Sequence, residues 1–442
     1  MKKLYTVSRF EVIKNSKRIL KNPLPFHNEK FKEFGHTFKV QTGWKQDIVF
    51  TQNPGFIKHI LQKQHKAYQK SSLQTKDLAK YIGNGILTSN GEHWRTHRRM
   101  VQPAFHKKKL ANLMTTVREA ILAEIEHIPL HKTIDIYGIM GNLAFQVVAQ
   151  SLFSSENIRE EMTRLQFITE ANQRMLIREM RQPYLNLWFK ATGKIDTHLK
   201  LAQEAQEILG TLINTRRDSP FEKDDLLDML LQARYEDGMP MPQKQLIDEV
   251  LILFTAGHET TANALSFLLY LLAKHPEAQE KAYQEAKNVD LEEGNLLANL
   301  AKLSYIQNCI EETLRLYPPA YVIDRVSIQD DIFEDMHIPK DTMVLMSIYE
   351  LHRYEDFWEQ PNTFYPDRFN EIDKKEYQDY YYPFGAGPRM CVGNNFAMYE
   401  MIITVAEVLK KYSVSTSISE VEINPLISLK PKEVPLMFIA RV

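Results

Sequence analysis

Cysteine is scarce in this chain, with 2 in 442 residues, and one of them stands in a setting suited to chemistry. The stretch from Tyr382 to Ala397 reads YPFGAGPRMCVGNNFA and holds Phe384, Gly385, Gly387, Arg389, Cys391 and Gly393. Glycines supply positive φ or a missing Cβ, so this backbone must approach something closely. Pro388 stiffens its middle. A cysteine at the mouth of a following helix has its thiolate favoured by the helix N-terminus, and nearby amides can hydrogen-bond the sulfur. A single thiolate in such a loop suits one axial bond to a flat cofactor. It does not suit zinc, which takes four ligands.

Three other stretches carry reactive or charge-binding groups. The run from Gln243 to Lys274 has no proline, and Pro242 and Pro276 flank it. At 1.5 Å rise it is a helix of about 45–50 Å, apolar on every face and therefore buried. Its centre reads TAGHETTAN. Polar groups there cost several kcal/mol in a dry core unless partnered. Glu259 and Thr260 set an acid beside an alcohol, which suits proton relay. Thr260 can also bond back to a carbonyl one turn earlier and open the helix locally. Small Ala256 and Gly257 let a flat ring lie against the helix. Trp94 and Arg98 share a helical face, and indole N–H with guanidinium suits a carboxylate. Glu312 and Arg315 stand three apart on another helical run that ends at Tyr317-Pro318-Pro319. Taken alone, that pair reads as a surface ion pair.

Together these stretches resemble the cytochromes P-450, the haem-thiolate monooxygenases, a family in which a cysteine thiolate holds haem iron. The resemblance runs from Trp94 to Gly393 in five motifs: Trp94-x-x-x-Arg98, the AGHETT segment, Glu312-x-x-Arg315, the segment ending Asp367-Arg368-Phe369, and the cysteine loop. Asp367 replaces the glutamate usual in the fourth. The resemblance implies a mainly α fold with a small β lobe, and haem b between the long central helix and the cysteine-loop helix. Cys391 becomes the metal ligand. Trp94, Arg98, Arg325 and Arg389 face the haem propionates, while Phe384, Gly385, Ala256 and Ala397 surround the ring. Thr260 and Glu259 are the catalytic pair for dioxygen and protons. Glu312, Arg315 and Arg368 form a buried ionic network. Tyr68, Leu87, Val322, Ile323 and Leu426 line the substrate pocket. His258 holds a variable position and is either structural or substrate-facing.

Composition agrees with a globular enzyme. Charged residues make up 25 % of the chain and its formal net charge is −1, so nucleic acid is not the implied partner. Two cysteines make no disulfide framework, and a functional thiolate suits a reducing compartment. Cys309 lies in a helical run and reads as a core residue. The first residues lack an apolar stretch long enough for a signal peptide or membrane anchor, which predicts a cytoplasmic protein of soluble bacterial type, monomeric and free of membrane. Alternation over 36–52, with a turn near Gly43, predicts a hairpin. With 320–347 and 423–442 it makes the β lobe of a single domain spanning 1–442.

The expected reaction uses O2 and two electrons from NAD(P)H, delivered through a ferredoxin or flavodoxin and its reductase. Lysines 107–109 are candidates for attracting that acidic donor. The product is a hydroxylated or O-dealkylated small molecule. A fatty acid, a terpenoid and a methyl ether such as an O-methyl sugar all stay open as substrates. A peroxide-driven enzyme of the same fold and a non-catalytic haem sensor are the alternatives. The acid–alcohol pair favours the monooxygenase over both.

Overall fold

Pro242 is the N-cap of the helix that organises the chain, and the helix ends at Lys274, two residues before Pro276. In the computed structural model, which describes residues 4–41, 47–154 and 158–441, these 32 residues form one uninterrupted helix. Ile136–Phe153 packs along it, with Lys107–Ile125 beyond. Asn394–Lys411, the helix that follows the cysteine loop, touches both the central helix and Ser304–Leu316. Leucines, isoleucines and phenylalanines from all these helices fill one continuous core. Ile136–Phe153 is long and apolar enough to cross a bilayer by length and composition, but most of it is buried against its neighbours.

The expected hairpin forms: Thr37–Gln41 pairs antiparallel with Asp47–Thr51, Thr37 opposite Thr51. Its turn near Gly43 lies outside the described residues. Val322–Ser327 and Met343–Ser347 pair antiparallel and join that hairpin in a six-stranded sheet. The last segment behaves differently from expectation. Ile423–Pro425 pairs only with Leu429–Pro431, and Pro435–Ala440 pairs with Tyr412–Ser415 and Thr133–Asp135 in a separate sheet. The reason is burial: Leu436 and Phe438 alternate inward and join the helical core, not the sheet at the other end.

Candidate functional site

The cysteine loop is shaped by two glycines in the left-handed region, Gly385 at φ 70° and Gly387 at φ 68°. A Cβ on Gly387 would stand 2.0 Å from the carbonyl oxygen of Leu61, so only glycine lets this loop lie on the short helix His59–Lys63. The Cys391 amide donates to the Phe384 carbonyl at 2.9 Å, folding the loop back on itself. The helix begins at Asn394, with Gly393 as its N-cap. Burial pushes the Cys391 thiol up, while the Gly393 amide on its sulfur and the charge of Arg98 act in the opposite direction. Cys391 is nonetheless solvent-accessible, although protein lies close enough round its sulfur to desolvate it. Ala256 is likewise the exposed residue in the middle of a largely buried helix. Both features mark an internal cleft.

Cations gather on one side of this cleft, and among the described residues none of them is ion-paired to a carboxylate, although Asp324 and Glu249 lie near enough to act on Lys70. Among the described residues Arg98 donates to Gln102 Oε1 (3.2 Å), Arg325 to the Asp324 carbonyl (2.7 Å) and Arg389 to the Ser89 carbonyl (3.3 Å). Arg389 lies over the Trp94 ring, 4.2 Å from its centroid. Buried Lys70 joins them, its ammonium donating to the carbonyls of Ile86 (2.7 Å) and Leu87 (2.6 Å). The Asp324 carboxylate, which Lys70 and Arg325 both feel, is already engaged by the Ser71 amide and Gln74. Burial and the neighbouring arginines hold Lys70 well below the usual lysine range, and burial beside Arg325 lowers Arg389 to about 10. Such a cluster is short of negative charge. The two propionates of a haem would supply it, so the residues present fit that group. Lys70 was not legible in the sequence, where it reads as an ordinary loop lysine.

The central helix presents the acid and the alcohol. Thr260 Oγ1 donates to the Ala256 carbonyl at 2.9 Å, the expected back-bond, but the helix stays continuous through it and does not open as expected. Glu259 Oε1 accepts from Ser428 Oγ at 2.7 Å, and Ser428 Oγ accepts from Asn263 Nδ2 at 2.9 Å. Of its neighbours, His258 takes the structural one of its two expected roles, and Gly257 departs from expectation. His258 is not a pocket residue: it is buried, bonded to the Phe254 carbonyl at 3.0 Å, and its ring meets Phe145 edge-on. Two residues on from Ala256, it points to another side of the helix. Gly257 serves helix packing, because a Cβ there would stand 3.0 Å from Val148.

Of the expected pocket walls, Leu87, Val322, Ile323 and Leu426 are half-buried. Ile323 lies within contact of Gly385, and the Leu426 carbonyl accepts from the Tyr321 hydroxyl at 2.9 Å. Tyr68 does not join them. Its hydroxyl donates to Asp331 Oδ2 at 2.7 Å, the atom that also bonds His59, and its ring is buried in the core beneath the six-stranded sheet. The strand pairing of Tyr68 with Ser327 turns it that way. Phe384 and Ala397 are half-buried against the main core.

Behind the loop lies the ionic network. Glu312 and Arg315 have fully buried side chains, paired through Nε–Oε2 at 2.7 Å and Nη2–Oε1 at 2.8 Å. The remaining Arg315 donors meet the carbonyls of His352, Pro361 and Thr363, so all five N–H groups are used. Arg368 Nε reaches Glu312 Oε1 at 3.2 Å, and the Tyr365 amide donates to the same oxygen. Trp358 lies beneath both guanidinium groups. Asp367 stays outside the network, bound to Lys281. The network reaches the cysteine loop through His352, whose Nε2 accepts from the Tyr382 amide at 2.8 Å. Burial and the nearby Arg315 and Arg353 lower His352 to about 3, which keeps it a neutral acceptor.

Comparison with known proteins agrees with this geometry. The chain matches the family described as "Cytochrome P450" over residues 8–438. It is 29 % identical over 423 residues to "Cytochrome P450 4d2" of Drosophila melanogaster, covering 88 % of this chain and 83 % of that protein. It is 28 % identical to "Cytochrome P450 4Z1" of Homo sapiens, covering 82 % and 76 %. It is also 28 % identical to "Putative cytochrome P450 132" of Mycobacterium tuberculosis, covering 87 % and 86 %. Relatives from insect, mammal and mycobacterium do not single out a soluble bacterial type.

Proposed function

The chain belongs to the cytochrome P450 family, and on that premise we propose that Cys391 is the haem ligand of a monooxygenase acting on a small to medium organic molecule. The family assigns haem b, O2 and NAD(P)H-derived electrons delivered by partners. When bound, the haem supplies oxygen activation and attack on a substrate C–H bond. The protein's own residues do the rest. The Gly393 amide and Arg98 favour the thiolate of Cys391. Lys70, Arg98, Arg325, Arg389 and Trp94 bind and orient the propionates. Glu259 takes protons from solvent and passes them to the Thr260 side of the cleft. Leu87, Val322, Ile323 and Leu426 exclude water from the reacting carbon. The product is a hydroxylated substrate or, where the carbon carries an ether oxygen, an O-dealkylated one.

We further propose a ferredoxin or flavodoxin with its reductase as donor. Lys107, Lys108 and Lys109 are exposed at the start of a helix, where positive charge opposes the helix dipole. They follow Phe105, whose ring faces the side of Gly393 where a Cβ would stand 3.6 Å from it. An acidic donor docked there would offset the mismatch. Two free thiols suit a reducing cytoplasm, where the chain acts as a monomer.

The observation that carries this reading is an accessible thiol in an internal cleft beside unmatched cations. The test is haem binding by the purified protein and by Cys391→Ser. The first should take up haem with the reduced carbonyl spectrum of a thiolate ligand, and the second should lose that spectrum. Equal spectra would refute the assignment.

A further inference from the structure

Ser428 lies in none of the motifs above, yet it is the one side chain bonded to the Glu259 carboxylate among the described residues. It stands in the turn between Ile423–Pro425 and Leu429–Pro431 and is itself buried. Glu259 and Asn263 are four apart on the central helix, so one hydroxyl from outside bridges two successive turns. We propose that Ser428 is a positioning residue for proton delivery, holding Glu259 in place with a hydrogen bond whose direction Asn263 sets. The inference rests on the reading of Glu259 as the proton carrier.

Donor chemistry fixes the direction. An amide nitrogen only donates, so Ser428 Oγ accepts from Asn263 Nδ2. Its single hydrogen then goes to Glu259 Oε1, which accepts it. The reverse state is also available. When Glu259 carries its proton on Oε1 it donates to Ser428, which then passes its own hydrogen onward. Asn263 Oδ1 is buried without a partner, and a half-turn of the amide would bring it to Ser428. Amide nitrogen and oxygen have nearly the same shape, so the turn needs little room. The relay balances. Glu259 gives one proton to the Thr260 side, regains one from solvent, and the hydrogen-bond chain reverses and recovers with it.

The hairpin also ties this chain to the pocket. The Pro425 carbonyl accepts from Arg181, the Leu426 carbonyl from Tyr321, and the Leu429 amide donates to the Pro319 carbonyl. Leu426 is a pocket wall and Tyr321 precedes Val322. A molecule pressing on Leu426 therefore displaces the turn that carries Ser428. Other titratable groups near Glu259 are Tyr137 on Ile136–Phe153, with Glu170 beyond it, and Lys430, which lies over the Tyr137 ring.

The test uses the haem-loaded protein and the variants Ser428→Ala, Ser428→Thr and Glu259→Gln. Infrared difference spectra over a pH titration give the carboxyl band of residue 259, identified by its loss in Glu259→Gln. No substrate or turnover is needed. In parallel, peroxide release is followed in H2O and D2O with a ferredoxin, its reductase and NADPH. Ser428→Ala should shift the carboxyl band of residue 259 in frequency, as loss of the hydrogen bond to its Oε1 implies. It should change the solvent isotope effect, and Ser428→Thr should restore both. An unmoved band in Ser428→Ala, with the isotope effect altered in Glu259→Gln, would overturn the inference alone. An isotope effect unchanged in Glu259→Gln would overturn the reading of Glu259 and this inference with it.

Discussion

Replacing Arg315 by alanine removes five hydrogen bonds at once: two to Glu312 and one each to the carbonyls of His352, Pro361 and Thr363. The side chains of Arg315 and Glu312 are 0 % exposed, so water cannot replace what is lost. Glu312 would keep only Arg368 Nε at 3.2 Å and the Tyr365 amide at 3.0 Å. Breaking a buried pair from one side costs about 3–5 kcal/mol, because the remaining charge stays uncompensated. The cost should spread to the cysteine loop, since the His352 carbonyl binds Arg315 and its ring binds Tyr382. Urea denaturation and haem content per protein measure the two effects. Adding Glu312→Gln to Arg315→Ala removes the orphan charge and should cost less than Glu312→Gln costs in the wild type. Arg315→Lys should recover only part of the loss, since an ammonium offers fewer donors and no planar fork. A loss below about 1 kcal/mol in Arg315→Ala, a value typical of exposed pairs, would refute the reasoning, as would strict additivity of the two changes.

Gly387→Ala puts a Cβ 2.0 Å from the Leu61 carbonyl at a φ of 68°, and should abolish stable haem loading, read as the haem absorbance per protein. Lys70→Met removes a buried cation from the propionate side and should speed haem transfer to apomyoglobin by about tenfold or more, given about 1.5–3 kcal/mol per charged hydrogen bond. The base His352 is held to about 3, below its usual 6.5, so between these values the unfolded chain binds the extra proton. Stability should therefore fall as pH drops through that window, by about 1.4 kcal/mol per unit, and His352→Gln should flatten the slope in acid denaturation. Changing Lys107, Lys108 and Lys109 to glutamate should weaken reduction by an acidic donor at low salt and leave dithionite reduction unchanged, as stopped-flow would show.

The parts of the site readable in the sequence were those whose chemistry is local. Gly385, Gly387 and Cys391 lie in one loop, and Glu259 and Thr260 are adjacent on one helix. The central helix announced its ends with Pro242 and Pro276. Partners far apart in the chain were hidden. Lys70 meets Arg325 and Arg389 only through the fold, and Ser428 reaches Glu259 across 169 positions. Tyr68 was misplaced because a loop near the pocket gave no sign that strand pairing turns its ring toward Asp331. His258 was ambiguous because a helix buried on all sides carries no amphipathic signal to orient one residue. The C-terminal strands were grouped with the hairpin in one β lobe but form sheets of their own, since alternation shows which face is buried but not against what.

The central claim is that the sulfur of Cys391 holds haem iron in the cleft between the central helix and the cysteine helix. Its most direct test is the absorption spectrum of the reduced carbonyl adduct, recorded for the wild type and for Cys391→Ser. A thiolate-type Soret band in the wild type that disappears in the variant is the predicted result. A histidine-type band in the wild type, or a thiolate-type band that survives in Cys391→Ser, would contradict it.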